Sequence, residues 1–398
     1  MTAPTRHFVI LLCALGLLWA GCGDEPSTRA SFDDPKPDGV EGNITDGADD
    51  STTRIYGLWL GAWDGDGFFF QRTPAPATLA PSMGYLDDGS LALVTVRRIK
   101  EYLRAGTEDR ELLFLLRRGP SGVWRDPLIL ANNTWWTYAQ PAILPDFAGR
   151  IHVLFSLDGA PTHLSVQDDR VDIYPMQPGP GAAKYFTMAQ SPFGFIHAVF
   201  GEYDLSHQVF VGDSWLELNE FLDAAYPELA FNRQHESNAR LVFLRHKGIN
   251  DACTLFHFEW FYGKWQGKSV MPEIDFYPVP HISVDEQGRS HILCPSSVGL
   301  VYMVQDETEP GGWRMEIVAG GSLNLKNEHI DLAVSGDEPF IAFRDTQTAQ
   351  GYMAHRTATS WEVGEVAGFE PGFIGMELAV DPAGVPHLIF AGERVMGQ

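Results

Sequence analysis

The sequence predicts an all-β protein, a seven-bladed β-propeller of four-stranded antiparallel blades. A strand–turn–strand unit recurs seven times along the chain, and a second pair of strands lies between consecutive copies. The chain also begins with the two strands that its last copy lacks. Repeats of roughly 40 to 50 residues with strand patterns throughout are typical of propellers.

The recurring unit is clearest at Leu378–Phe390, where an apolar strand, an Asp-x-x-Gly turn and a second apolar strand follow one another. We name these strands A and B. A tight hairpin needs a residue that tolerates positive φ, and Gly, Asn and Asp do so best. The seven turn positions are Gly89, Gly149, Gly194, Asn238, Gly288, Asp337 and Gly384.

A further pair of strands, C and D, lies between the turns, and in five copies a Trp marks strand D. These residues are Trp124, Trp215, Trp265, Trp313 and Trp361. In the second copy Val171–Tyr174 stands in this place. We expect the indole rings to pack within or between blades, because a large ring suits the start of a strand.

The two ends of the chain predict how the ring closes. The last copy has only strands A and B, whereas Ile55–Gly61 and Gly65–Gln71 read as strands C and D with nothing before them. We expect these halves to form one blade, since closure removes exposed strand edges. Strands covered by neighbouring blades should be apolar on both faces, as Leu91–Val94 and Leu112–Leu116 are.

From Ile55 to Gln398 the chain resembles bacterial seven-bladed propellers with Asp-x-x-Gly-x-x-His repeats, which share their shape with sialidase and lectin propellers. The resemblance implies the fold but little about function, because propellers carry many activities. Sialidase repeats have the form Ser-x-Asp-x-Gly-x-x-Trp. The nearest match, Ser283–Gly288, has one extra residue and no following Trp, and no strand A carries an inward candidate Arg, so sialidase activity is disfavoured.

The N-terminus predicts export. Arg6 precedes the apolar run Phe8–Trp19, which is of signal-peptide length. Ala20–Cys22 then resembles the end of a bacterial lipoprotein signal, which implies lipidation of Cys22, although Trp19 stands where that family usually has Leu. Simple secretory cleavage and an uncleaved anchor are the alternatives. We therefore expect a signal at residues 1–22, a disordered acidic linker at 23–54 and the propeller at 55–398, lipid-anchored in the cell envelope, facing the periplasm or on the outer surface.

The net charge limits the classes of partner that the chain could bind. The formal net charge of -24 disfavours nucleic acid and anionic lipid, and leaves cations, neutral glycans and basic partners open. We expect contact with the membrane only through the lipid.

In the body, Cys253 and Cys294 could form a disulfide or remain buried thiols, since export permits the bond but sequence cannot show the required geometry.

Four histidines lie three residues after a turn glycine: His152, His197, His291 and His387. Histidine is the commonest metal ligand. However, equivalent positions in different blades lie dispersed around a ring, so we expect each imidazole to bond a polar group of its own blade. No metal or cofactor is predicted.

The connections from strand B to C and from D to A should share one face, around the channel mouth. Charged and aromatic side chains there are the candidate ligand-binding residues. They are Arg97, Asp158, Glu202, Asp204, Arg245, Arg344, Asp345, Tyr138, Tyr185, Tyr226 and Tyr277. The tyrosines could form platforms for sugar rings or could seal the wall between blades.

Function is less determined than fold. No Gly-rich phosphate loop, His-Glu-x-x-His, Cys-x-x-Cys or nucleophile elbow is present. The leading hypothesis is a monomeric, non-catalytic module that binds a glycan or an envelope protein. The alternatives are a glycoside hydrolase or polysaccharide lyase that uses carboxylates at the channel mouth, and a scaffold in envelope assembly.

Overall fold

The computed structural model describes residues 53–65, 68–75, 79–103, 106–133, 140–180, 183–231, 239–246, 252–261, 263–274, 279–320, 325–345, 347–348, 350–357, 359–366 and 375–396. The predicted signal, Cys22 and nearly all of the predicted linker lie outside them. The first strand begins at Thr53, two residues before the predicted boundary of the propeller. No helix in the described ranges is long and apolar enough to cross a membrane.

The strands of the described ranges form seven four-stranded antiparallel sheets, which confirms the predicted fold. The chain starts with β1 (Thr53–Trp63) and β2 (Phe68–Arg72). Blade 1 contains β3 (Leu79–Tyr85), β4 (Leu91–Leu103), β5 (Gly106–Arg118) and β6 (Leu128–Asn133). Blade 2 contains β7 (Ala142–Pro145), β8 (Ile151–Leu157), β9 (Ala160–Gln167) and β10 (Arg170–Pro175).

The next four blades repeat this order. Blade 3 contains β11 (Tyr185–Gln190), β12 (Ile196–Gly201), β13 (Leu205–Val211) and β14 (Ser214–Phe221). Blade 4 contains β15 (Ala224–Ala230), β16 (Arg240–His246), β17 (Cys253–Phe261) and β18 (Lys264–Ile274). Blade 5 contains β19 (His281–Val284), β20 (Ser290–Ser296), β21 (Gly299–Gln305) and β22 (Trp313–Gly320). Blade 6 contains β23 (Leu325–Ser335), β24 (Glu338–Asp345), β25 (Gly351–Arg356) and β26 (Trp361–Glu365).

Blade 7 is assembled from both ends of the chain, as predicted. Its strand order is β2–β1–β28–β27, with β27 (Met376–Val380) and β28 (Pro386–Met396) supplied by the C-terminal segment. The register between β1 and β28 runs from Thr53 opposite Met396 to Ala62 opposite His387. The long antiparallel ladder closes the ring without leaving either terminal hairpin as an exposed edge.

The A strands form the inner wall. β3, β7, β11, β15, β19, β23 and β27 each contact the next one, and β27 contacts β3 again. The hydrophobic core lies between blades. Leu91–Val94 and Leu113–Leu116 are buried, since blades on both sides cover these strands. The prediction that strands are apolar on both faces is therefore confirmed here.

The A–B turns follow the predicted pattern. Five turn glycines have φ between 79° and 86°, the left-handed region that glycine adopts without steric cost. They are Gly89, Gly149, Gly194, Gly288 and Gly384. In blade 6 the residue with positive φ is Gly336, with φ 63°, and not the predicted Asp337, because a two-residue loop joins Ser335 to Glu338. Asn238 lies outside the described residues.

The strand-D tryptophans pack between blades, as expected. In four cases the indole lies edge-on or nearly so against a ring on strand C of the preceding blade, with centroids 5.0 to 5.2 Å apart. The pairs are Trp215 with His163, Trp265 with His207, Trp313 with His257 and Trp361 with Tyr302. Trp124 differs, since it precedes β6 and forms an isolated bridge with Arg118.

Cys253 and Cys294 lie as thiols, not as a disulfide, in one hydrophobic cluster between blades 4 and 5. Of the two alternatives left by the sequence, the structure therefore has buried thiols. Burial raises the pKa of both, which keeps them protonated and unreactive.

Candidate functional site

The turn histidines bond polar groups of their own blades, as predicted. Nε2 of His152 lies 3.1 Å from Oδ2 of Asp146, and Nε2 of His291 lies 3.0 Å from Oδ2 of Asp285. His387 makes the same contact with Asp381 at 3.1 Å. The carboxylate also accepts backbone N–H groups of the turn, so each Asp ties the turn to strand B.

Each imidazole is also bonded on its other side, except in blade 7. Because Nε2 of His291 donates to Asp285, its Nδ1 accepts from the hydroxyl of Tyr302 on strand C. In blade 3, where Ser191 replaces the Asp, Nδ1 of His197 lies 3.1 Å from Nε2 of His207. Burial lowers the pKa of His197 to about 4 and that of His207 to about 3. These imidazoles are therefore neutral structural groups.

An aromatic pair lies where strand A begins in blades 3 and 4. The rings of Tyr185 and Tyr226, both predicted candidates, have centroids 4.5 Å apart. Tyr226 has φ 54°, which is unusual for a bulky residue, and it lies in an irregularity of the β15–β16 register. Such irregularities redirect side chains at the rims of sheets. The strained backbone thus sets the position of the Tyr226 ring.

Charged groups surround this pair. Lys184 forms an ion pair with Glu202, another predicted candidate, and the neighbouring Tyr203 is 67% exposed. Asp204 accepts a hydrogen bond of 2.8 Å from the backbone N–H of Asp223 and thereby holds the short D–A connection that leads into β15. Tyr185, Tyr226, Glu202 and Asp204, all predicted candidates, therefore lie at one part of the channel mouth. Asp204 has a structural role there, because it fixes the D–A connection.

The remaining described candidates lie on blades 1, 2, 4 and 6, and Arg245 pairs with Ala224 on the strand that carries Tyr226. Arg97 is on the long β4–β5 hairpin of blade 1, opposite Leu112. Asp158 is the first residue of a two-residue turn, with φ 49°, and Arg245 is exposed on β16. In blade 6 burial lowers the pKa of Arg344, and Asp345 accepts hydrogen bonds from Gln347 and Thr348. Tyr138 and Tyr277 lie outside the described residues.

A further set of side chains, which the sequence analysis missed, lines the inner wall. It occupies one equivalent position on strand A of every blade, as the pairing of Ser82 with Val94 and of Glu377 with Ile389 shows. We call this set the inner ring. Its members are Ser82, Ala142, Thr187, Glu228, His281, Asp331 and Glu377.

Side chains of the inner ring bind the backbone of the next blade. Oγ1 of Thr187 accepts from the N–H of Leu229 at 2.9 Å. Oδ2 of Asp331 accepts from Leu378 at 2.6 Å. Oε1 of Glu377 accepts from Met83 at 3.0 Å. In each case the donor directly follows the ring position of the neighbouring blade. These bonds satisfy strand-A donors on the edge that no strand covers.

Four consecutive members, Glu228, His281, Asp331 and Glu377, are ionisable, and we call them the polar arc. Nδ1 of His281 lies 3.1 Å from Oε2 of Glu228 and 3.3 Å from Oδ1 of Asp331. Burial alone would lower the pKa of His281, but the charge of Glu228 and the contact with Asp331 raise it to about 10. Burial and the charge of Asp331 raise the pKa of Glu377 above its ordinary value.

A sequence signal for part of the inner ring does exist. In five blades the ring residue lies seven positions before the turn glycine, as His281 does before Gly288 and Glu377 before Gly384. Aligning strands A by this offset would have found both residues. Glu228 and Asp331 do not follow it, because their A–B connections differ in length.

Similarity to known proteins is found among solved structures only. No protein-family model and no curated protein sequence matches the chain. Among solved structures it is similar to the Aleuria aurantia lectin (11% identity, TM-score 0.46, 74% of this chain and 100% of that one). It is also similar to the α-L-arabinanase of Penicillium chrysogenum (13% identity, TM-score 0.44, 80% of this chain and 100% of that one). A third similar structure is the Dos1 propeller (7% identity, TM-score 0.48, 80% of this chain and 93% of that one). These identities are too low to transfer any activity.

Proposed function

We propose that the chain is an exported, lipid-anchored propeller that binds a carbohydrate at its channel mouth without transforming it. The contact between Tyr185 and Tyr226, next to the Lys184–Glu202 ion pair, carries this proposal. Sugar rings stack on aromatic faces, while charged and amide groups bond their hydroxyls. An envelope protein is the alternative ligand class.

The positions of Tyr185 and Tyr226 and the exposure of the nearby Tyr203 support ligand binding. The two tyrosines come from adjacent blades, and the φ of 54° at Tyr226 is a strained conformation that the surrounding structure must maintain. The highly exposed Tyr203 adds an aromatic surface next to Glu202. A preformed, rigid aromatic surface loses little entropy on binding.

A glycan array probed with the purified full chain tests the proposal. We expect Tyr185→Ala to weaken binding of any retained glycan by about 10- to 100-fold, the usual effect of losing an aromatic anchor. Phe193→Ala is the matched control, since Phe193 is 72% exposed on an A–B turn at the opposite face. A blank array together with a specific protein captured by the wild type and lost in Tyr185→Ala would favour the envelope-protein alternative, and a blank result in both would overturn binding at the mouth.

Lipid anchoring rests on Ala20–Cys22 and the preceding apolar run. We expect Cys22→Ala to move the chain from the membrane fraction to the soluble fraction and to remove a lipid-sized mass from the mature N-terminus. A chain that is already soluble with Cys22 intact would instead indicate simple secretory cleavage.

A glycoside hydrolase is the second candidate function, and the polar arc favours it. Carboxylate oxygens of Glu228 and Asp331 lie within 4.8 Å of each other on the inner wall, somewhat closer than the roughly 5 to 5.5 Å between the two carboxyl groups of retaining glycosidases. The test is to incubate the chain with a glycan that it binds on the array and to measure the release of reducing sugar. Release by the wild type that is abolished in Asp331→Asn would favour a glycoside hydrolase over non-catalytic binding.

A further inference from the structure

The polar arc brings three potential metal-ligating atoms from three different blades together. Glu228, His281 and Asp331 each place one ligating atom, a carboxylate oxygen or an imidazole nitrogen, within 4.8 Å of those of the other two. Nδ1 of His281 is 3.1 Å from Oε2 of Glu228 and 3.3 Å from Oδ1 of Asp331. Ligands around a tetrahedral Zn²⁺ with bonds of about 2.0 to 2.2 Å are themselves roughly 3.3 to 3.6 Å apart. Both distances from the imidazole nitrogen are close to that spacing.

The carboxylates are oriented by the protein backbone. Asp331 receives the N–H of Leu378 on Oδ2 and that of Leu332 on Oδ1, at 2.6 and 2.7 Å. Glu228 receives the N–H of Ile282 from the next blade. Hydrogen bonds of this kind hold metal-binding carboxylates in place in known sites.

Oε2 of Glu228 is buried and faces the imidazole. It is inaccessible to solvent, makes no well-aligned hydrogen bond among the described residues, and lies 3.1 Å from Nδ1 of His281, with which it pairs when the imidazole is protonated. A buried carboxylate oxygen needs a cationic or hydrogen-bonding partner. A metal cation bound between the three atoms, in place of the imidazolium proton, would supply that partner.

We propose that Glu228, His281 and Asp331 form a binding site for a divalent transition metal, with Zn²⁺ the best fit. One imidazole and two carboxylates suit zinc, whereas Ca²⁺ and Mg²⁺ prefer oxygen ligands alone. Three protein ligands leave a fourth position for water or an exogenous ligand, as in zinc sites that are not purely structural. This inference does not depend on carbohydrate binding at the mouth.

The test is a titration of the purified, chelator-treated full chain with Zn²⁺, measured by isothermal titration calorimetry. We expect one saturable site per chain. Co²⁺ in the same chain should give the visible absorption of a four-coordinate site, which requires no variant. Glu228→Gln, His281→Gln and Asp331→Asn should each weaken Zn²⁺ binding by more than about 100-fold, beyond the effect of losing an outer-shell group.

His355→Gln is the matched control. His355 also lies near two carboxylates, at 3.8 Å from Glu338 and 3.4 Å from Glu362, but on the partly exposed outer part of blade 6. We expect this variant to bind Zn²⁺ like the wild type. Binding lost in His355→Gln and retained in the polar-arc variants would assign the metal to the surface.

A wild-type chain that binds no Zn²⁺ would overturn the proposal and leave His281 as an imidazolium between two carboxylates. Circular dichroism of each variant distinguishes a lost ligand from a lost fold. If a polar-arc variant does not fold, the wild-type titration and the Co²⁺ spectrum decide.

Discussion

The A–B turns and the inner ring use the same types of side chain in different ways. In the turns, Asp and His come from one blade and are six residues apart, as Asp285 and His291 are. In the inner ring, His281 and Asp331 come from adjacent blades and are about fifty residues apart. The turn networks therefore stabilise single blades, whereas the inner ring joins blades. Repeated side chains of a propeller meet where the inner strands contact one another.

Removing the closing strands should cause the largest loss of stability, because it breaks the contacts that the inner ring makes between blades. Deletion of Met376–Gln398 removes β27 and β28, leaves one edge of β1 unpaired and takes Glu377 out of the inner ring. We expect loss of the cooperative thermal transition, because blade 7 and both of its interfaces are lost. A truncated chain that stayed soluble and melted cooperatively at the parent temperature would contradict ring closure as the source of stability.

Acid should destabilise the fold through four buried histidines on strands B and C. Burial lowers the pKa of His163 to about 2, of His207 and His257 to about 3, and of His197 to about 4. Between pH 6.5 and 4 the unfolded chain binds protons that the folded chain does not. Stability therefore falls as the pH falls, by up to about 1.4 kcal/mol per pH unit for each histidine.

Urea unfolding at pH 7, 6 and 5 measures this dependence. A free energy of unfolding that did not change over this range would contradict the neutral, buried state of the four histidines.

A single turn network should contribute several kcal/mol. In Asp285→Ala the buried His291 and the backbone N–H groups of Gln287 and Arg289 lose their acceptor. We expect a loss of about 3 to 5 kcal/mol in the free energy of unfolding, typical of breaking a buried polar pair. Asp381→Ala should cost less, since the Asp381 side chain is 21% exposed and water can replace it. Equal losses in urea titrations would argue against burial as the cause.

One member of the inner ring should tolerate an isosteric change. The folded-state pKa of Glu377 is raised above its ordinary value, so its ionisation with rising pH costs stability. We expect Glu377→Gln to change the free energy of unfolding at pH 7 by less than about 1 kcal/mol, whereas Glu377→Ala leaves the N–H of Met83 without its acceptor and costs about 1 to 3 kcal/mol. A Gln variant as unstable as the Ala variant would show that the carboxylate charge is required.

The difference between turns and inner ring also explains what the sequence could predict. Turn glycines and strand-D tryptophans recur at regular intervals, so the blades, their order and the closing pair could be derived from them. The dispersal of equivalent positions around the ring likewise indicated that His291 bonds its own blade. Contacts between blades depend on the register of strand A, and longer or shorter A–B connections shift Glu228 and Asp331 out of the common offset. Tyr185 and Tyr226 were found because both lie at strand starts, but their contact and the positive φ of Tyr226 could not be predicted from spacing.

The closing blade has a consequence for the order of the chain. Because Thr53 pairs with Met396, the two ends of the described propeller lie side by side. A short loop joining them would turn blade 7 into an uninterrupted blade, and new termini could be opened in a connection between two other blades. A circularly permuted chain of this kind should retain the fold while folding along a different route. In the natural order β1 cannot pair with β28 until the last strand has been made, and this ladder joins the residues that are farthest apart in the sequence among the strand pairs described.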